Sequence, residues 1–132
     1  MPVFLDANVL VRYLTDDPSD MAERATRLIE GDTELCLTET ALNETAHVVR
    51  RVYRVGREEA IDAFIALLQR SNITFHSLDK AIVIAALLLC RPSGRVSLGD
   101  ALIWAAARSL PPSSVYSFDQ RFPSEGIEVL CP

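Results

Sequence analysis

The sequence predicts a three-layer α/β/α domain with a mostly parallel central sheet of four to five short strands. Three observations lead there. Short apolar runs of strand length alternate with longer stretches at helical spacing. The short runs are continuous rather than alternating, as expected of strands covered on both faces. At 132 residues, 49% of them apolar, the chain is sized for one core, so residues 1–132 are expected to form a single domain.

"PVFLD" (2–6) is a short strand ending in an acid, and "NVLVRYLT" (8–15) continues as a helix that "DDP" breaks at Pro18. "SDMAERATRLIEG" is an amphipathic helix stopped by Gly31, and "ELCLT" (34–38) is a second strand. Thr38 caps a helix expected to run to about Val55, where Gly56 ends it. "REEAIDAFIALLQR" (57–70) is a further helix, "NITFHSL" a third strand, and Asp79 caps an apolar helix over 80–91. After the loop "RPSGR", Ser97 opens a helix over 97–109. From Ala101 to Ala107 its only polar side-chain group is the indole N–H of Trp104, so burial is expected on every side. "SSVYSFD" (113–119) is a fourth strand, also ending in an acid, and "GIEVLC" is a fifth.

Composition narrows the functional classes. The longest apolar run, Ala81 to Cys90, is too short to span a bilayer. The N-terminal residues carry no basic region and place an aspartate at position 6, unlike a signal peptide. A soluble, cytoplasmic protein is expected. Cys36, Cys90 and Cys131 lack metal-ligand spacing, and the first two lie in apolar runs as small core residues; His47 and His76 stand far apart. A net charge of −5 argues at first against a nucleic-acid partner. Yet 12 of the 13 basic residues are arginine, the side chain best suited to phosphate. Arg50, Arg51, Arg54 and Arg57 crowd the stretch "RRVYRVGR". They either complement a helix C-terminus or contact the phosphates of a nucleic-acid backbone.

In an open parallel sheet the helix N-termini lie at the carboxyl edge of the strands, where ligands bind. Asp6 and Asp119 end the first and fourth strands. Asp100 lies in the first turn of the helix feeding the fourth, and Glu44 in the second turn of the helix after the second. Each has an ordinary alternative. Asp6 can cap a helix, Asp119 can form an Asx-turn, and Asp100 completes a capping box with Ser97. Glu44 can be a solvated residue, although it borders the stripe Ala41, Thr45, Val48, Val52 and is expected to be at best half exposed. Apolar context separates these four from the other acids of that edge: "VFLDANVL", "ALNETAHV", "GDALIWAA" and "VYSFDQRF". Carboxylates converging in a half-buried site must raise their pKa values or bind a hard cation. Oxygen ligands without histidine suit Mg²⁺ or Mn²⁺.

Four acidic segments in this order, "FLDANVLVRYL", "NE" within "ALNETAHVV", "SLGDALIWAAA" and "SFDQRF", resemble a PIN domain over essentially the whole chain. They are most similar to the toxin ribonucleases of VapBC-type toxin–antitoxin pairs. The resemblance implies a Mg²⁺- or Mn²⁺-dependent endoribonuclease. Asp6 and Asp100 would be its metal ligands, and Glu44 and Asp119 would complete the catalytic site. Ser117 and Asn8 match polar positions beside the site, whereas Ala7 stands where a hydroxyl residue is common. It also implies an RNA substrate, a homodimer and an inhibitory antitoxin partner. A PIN-like module that binds metal or RNA without cleaving is the alternative. A phosphotransferase using Asp6 as nucleophile is disfavoured, because Asn8 stands where a second acid belongs.

Overall fold

A computed structural model describes all 132 residues. The fold is α/β, with six helices and five strands that pair in parallel throughout. The chain divides into two compact units, Met1–His76 and Ser77–Pro132.

The first unit comprises β1 (Val3–Phe4), α1 (Ala7–Thr15), α2 (Ser19–Ile29), β2 (Leu35–Leu37), α3 (Glu39–Arg51), α4 (Arg57–Leu68) and β3 (Ile73–Phe75). The strands run in the order β1-β2-β3, with Phe4 opposite Cys36 and Cys36 opposite Thr74. β2 is the middle strand, and all three of its side chains are buried. The ladder extends past the strand ends: Leu5 N–H donates to the Cys36 carbonyl at 3.1 Å, and His76 N–H to the Leu37 carbonyl at 2.8 Å. Between successive strands lie two helices, which cover the ladder with Leu10, Ile29, Leu42, Phe64 and Leu68, all fully buried.

The helix ends follow from side-chain chemistry. Thr38 Oγ1 accepts the Ala41 N–H at 3.1 Å and starts α3 where expected. At α2 the terminal Ile29 carbonyl is satisfied from 40 or so residues away, accepting from Asn72 Nδ2 at 2.9 Å and Arg70 Nε at 3.1 Å. Gly31 is needed there for space: a Cβ would stand 2.8 Å from the Arg27 carbonyl oxygen.

α3 departs from expectation. It ends at Arg51, short of Val55, and Arg54 rather than Gly56 takes the left-handed conformation, at φ 56°. Val55 N–H then reaches back to the Val49 carbonyl at 2.9 Å. Gly56 is extended (φ −65°) and sits at the N-cap of α4. The turn thus tightens two residues before the residue best suited to it.

The second unit comprises α5 (Lys80–Cys90), α6 (Leu98–Arg108), β4 (Ser114–Tyr116) and β5 (Glu128–Leu130). Asp79 caps α5 by accepting the Ala81 N–H at 2.9 Å, and Ser97 caps α6 by accepting the Asp100 N–H at 3.1 Å. β4 and β5 pair in parallel, Val115 opposite Val129. Their connection, residues 117–127, contains no helix; Trp104 Nε1 on α6 pins it by donating to the Glu125 carbonyl at 2.9 Å. At the next residue Gly126 has φ 74°, and a side chain there would run into Arg108.

Two expectations need adjustment. The strands are hydrogen-bonded as a ladder of three and a ladder of two, where one sheet of four to five was expected. Their two- and three-residue lengths leave few amides with which to pair. The apolar α6 is also not buried all round. Ala101, Leu102, Trp104 and Ala105 are, but Ile103 is 52% exposed, as is Leu88 on α5.

Two predictions follow from these contacts. Ser97→Ala and Thr38→Ala each remove a cap that accepts a helix N–H, so each lowers stability by about 1 kcal/mol in denaturant unfolding. Tyr13 donates its hydroxyl to Glu30 Oε2 at 2.9 Å. Burial first, then that hydrogen bond and the Glu30 charge, raise its pKa above the usual 10.0. A raised folded-state value means the fold favours the protonated phenol. The stabilisation is complete below that usual pKa and is lost as pH rises through the folded-state one. Denaturant midpoints taken from neutral pH to about pH 11 therefore fall more steeply for the wild type than for Tyr13→Phe.

Candidate functional site

The acids of the first unit are placed by the exits of two neighbouring strands. β1 ends at Phe4, and Asp6 becomes the N-cap of α1 in extended conformation (φ −76°, ψ 150°), its carbonyl accepting from Val9 and Leu10. Its side chain makes no capping hydrogen bond, so both carboxylate oxygens stay available. β2 ends at Leu37, Thr38 starts α3, and Glu44 follows in the second turn. Glu44 is exposed, beyond the half exposure expected from the helical wheel. The reason lies in the helix face: α3 buries Ala41, Leu42, Thr45 and Val49, a stripe turned away from Glu44 relative to the expected Ala41, Thr45, Val48, Val52.

α1 packs against α3, and the two acids line one cavity of about 360 Å³. Its apolar floor and wall are Ala7, Val11, Val48 and Val52; its polar groups are Asp6, Asn8, Glu44, Arg12 and Tyr53. A second recess of about 480 Å³ shares Asp6, Asn8 and Arg12 and is completed from α2 by Met21, Arg24 and Leu28. The N-terminal half of α1 therefore borders two hollows. Ala7, where a hydroxyl would be common, is buried and lines the first of them.

Arg50, Arg51 and Arg54 are all exposed. Arg50 and Arg51 occupy the last turn of α3, where cations complement the helix dipole. The turn carrying Arg54 also supplies Val52 and Tyr53 to the cavity wall, so the basic stretch adjoins the hollow that holds Asp6 and Glu44.

In the second unit, Asp100 lies in the first turn of α6 and is partly exposed. Only half of the expected capping box forms: the Ser97 hydroxyl accepts the Asp100 N–H. Asp119 follows β4 and forms the Asx-turn anticipated as its ordinary role, Oδ1 accepting the Arg121 N–H at 2.9 Å. Ser117 Oγ accepts the Asp119 N–H at 3.0 Å, a local contact within the same turn.

A hard divalent ion needs oxygen donors that are not already engaged. Asp6, Glu44 and the Asn8 side-chain amide meet that requirement within one cavity, and Mg²⁺ commonly takes one or two carboxylates and keeps its other positions for water. Neither unit gathers three or more His, Cys, Asp or Glu side chains into a group that could hold a metal. Cys36 and Cys90 are buried, as their apolar runs implied. His47 and His76 are exposed, and His76 stacks edge-on to Phe4 at 5.6 Å.

An α/β fold of parallel strands, with acids at strand exits and helix N-termini, defines a class in which the carboxyl edge carries the chemistry. The PIN domain family matches residues 3–125, and the chain belongs to that family. PIN domains are generally nuclease modules that use divalent metals. No curated protein and no solved structure matches the chain. No helix is long and apolar enough to cross a membrane.

Arg12 and Tyr53 are the cavity residues that sequence reasoning missed. Arg12 sits one helical turn beyond Asn8 on α1, a spacing that puts them on one face. That spacing was the available signal.

If Asp6 and Glu44 serve a ligand rather than the fold, neutralising them costs little stability. Asp6→Asn and Glu44→Gln are expected to unfold within about 0.5 kcal/mol of the wild type in urea, as for other exposed positions. Asp119 provides the contrast. Asn preserves its Asx-turn and Ala removes it, so Asp119→Ala is destabilised and Asp119→Asn is not.

Proposed function

We propose that this protein is a Mg²⁺- or Mn²⁺-dependent endoribonuclease whose single PIN domain spans residues 1–132. We further propose that it acts in the cytoplasm as the toxin of a VapBC-type toxin–antitoxin pair. The observation that carries the reading is the cavity where Asp6, from the head of α1, meets Glu44, from the second turn of α3. Membership of the PIN family supports it. The proposed catalytic acids are Asp6, Glu44, Asp100 and Asp119. Asp6 and Asp100 would hold the cation, and Asn8 and Ser117 would make supporting polar contacts.

When bound, a divalent ion makes water more acidic and stabilises charge on the phosphoryl oxygens. Asp6 can hold a donor without surrendering a cap, because its carboxylate makes none. Glu44, exposed on the cavity rim, can orient water or accept a proton from it. The Asn8 amide can donate to a phosphate oxygen. Arg50, Arg51 and Arg54, beside the cavity wall, would meet the RNA backbone and offset a net charge of −5. A homodimer and an antitoxin that blocks the acids belong to the same reading.

One observation favours the alternative of a module that binds metal or RNA without cutting: neither unit assembles a three-acid group. The deciding experiment incubates the purified protein with RNA in Mg²⁺, in Mn²⁺ and in EDTA, beside Asp100→Asn. Metal-dependent fragments from the wild type, reduced at least 100-fold in the variant, are the expected result. Equal cleavage by the variant would remove Asp100 from the site. Intact RNA with folded, Mn²⁺-binding protein would replace the nuclease by the binding module.

A further inference from the structure

Arg12 has the one buried side-chain nitrogen or oxygen atom in the chain without a hydrogen-bond partner, its Nε. The rest of the side chain is held in place. Nη1 donates to the Asp17 carbonyl at 3.1 Å and reaches the Tyr53 hydroxyl at 3.5 Å. Tyr53 in turn donates to Asp17 Oδ2 at 2.9 Å. This strap ties α1 to the α1–α2 turn and to the turn after α3. Both acceptors of Nη1 are neutral oxygens, so the guanidinium is positioned without being neutralised by them. Arg12 also lines both hollows that flank α1, each time together with Asp6 and Asn8.

Guanidinium geometry indicates what such an arrangement suits. With Nη1 occupied by the strap, the unpartnered Nε–H and the adjacent Nη2 form the side-on fork that takes two oxygens of one phosphate once the buried Nε is uncovered. A neutral ligand would leave the charge uncompensated, and a free carboxylate would not extend into both hollows. A phosphodiester chain satisfies both conditions: one phosphate meets the fork, and the nucleotides on either side occupy the two recesses.

We propose that Arg12 is a positioning residue that grips a backbone phosphate of single-stranded RNA and sets the strand across the head of α1, beside Asp6. This rests on the nuclease reading for the identity of the polymer. It is separable from that reading because gripping requires neither a metal nor cleavage. Nε is closed to solvent in the resting chain, so engagement involves a rotamer change that gives up the 3.5 Å contact to Tyr53, the longest in the strap.

The test is binding of a fluorescently labelled single-stranded oligoribonucleotide by the full chain in EDTA, where metal-dependent cutting is silent, over a series of salt concentrations. Thermal unfolding of each variant is measured in parallel. Arg12→Gln is expected to bind about tenfold more weakly and to reduce the salt slope by about 1. Arg12→Lys, which keeps the charge and loses the fork, should retain the slope and still bind more weakly. Asp17→Ala breaks the Tyr53–Asp17 link without touching the fork and should bind no more weakly than the wild type.

Arg12→Gln binding within twofold of the wild type overturns the proposal. So does an Asp17→Ala loss equal to that of Arg12→Gln, because the strap alone would then account for the effect. A wild-type protein that fails to bind the oligoribonucleotide overturns it as well. A wild type that binds through Arg12 but leaves RNA intact in Mg²⁺ and Mn²⁺ upholds the grip and overturns the nuclease.

Discussion

The middle strand β2 is the constraint on which the first unit depends. Leu35, Cys36 and Leu37 are buried and are paired along both edges, to β1 and to β3. A register slip of one residue would exchange the leucines and Cys36 between the two covered faces and unpair ladder amides. Its exit is therefore fixed, and Thr38 converts that exit into the start of α3 within one residue. Helical geometry then carries Glu44 to its place. The same ladder fixes Phe4 opposite Cys36, so Asp6 emerges two residues later at the head of α1. Two acids far apart in sequence share a cavity because they leave adjacent, parallel strands whose first helices pack together.

The N-caps of the chain sharpen the point. Thr38, Asp79 and Ser97 all use their side-chain oxygens to accept a first-turn N–H. Asp6 is among the best residue types for that role, stands at the right position in extended conformation, and does not form the bond. The helix therefore leaves its carboxylate oxygens unengaged.

Most of the element order was legible from the sequence because the strands are short apolar runs and the helices begin at residues that cap. What was not legible depended on contacts distant in sequence. Gly56 looked like the end of α3, but glycine permits a left-handed turn without compelling it, and Arg54 took that conformation. The stripe bordering Glu44 looked like a buried face, yet Val52 at its end is largely solvated. α6 read as apolar on every side, and a face that includes Ile103 remains open. Arg12 carried the least signal. Its partners are Asp17, five residues on, and Tyr53, 41 residues on, and no periodicity in α1 predicts that they meet.

The strap also answers a difficulty that any acidic site for a polyanion must meet. An unrestrained arginine beside Asp6 and Glu44 would be drawn to their carboxylates, and the two charges needed for separate tasks would cancel. In this chain the guanidinium is held instead by a backbone carbonyl and a phenol, while the carboxylate nearest the strap, Asp17, is occupied by Tyr53. Positive and negative groups thus share the rim of one cavity without collapsing onto each other. In the proposed nuclease, that local separation, rather than overall charge, would let a chain of net charge −5 accommodate a phosphate backbone. The acids would then keep their oxygens for a cation, and the arginine its charge for a phosphate.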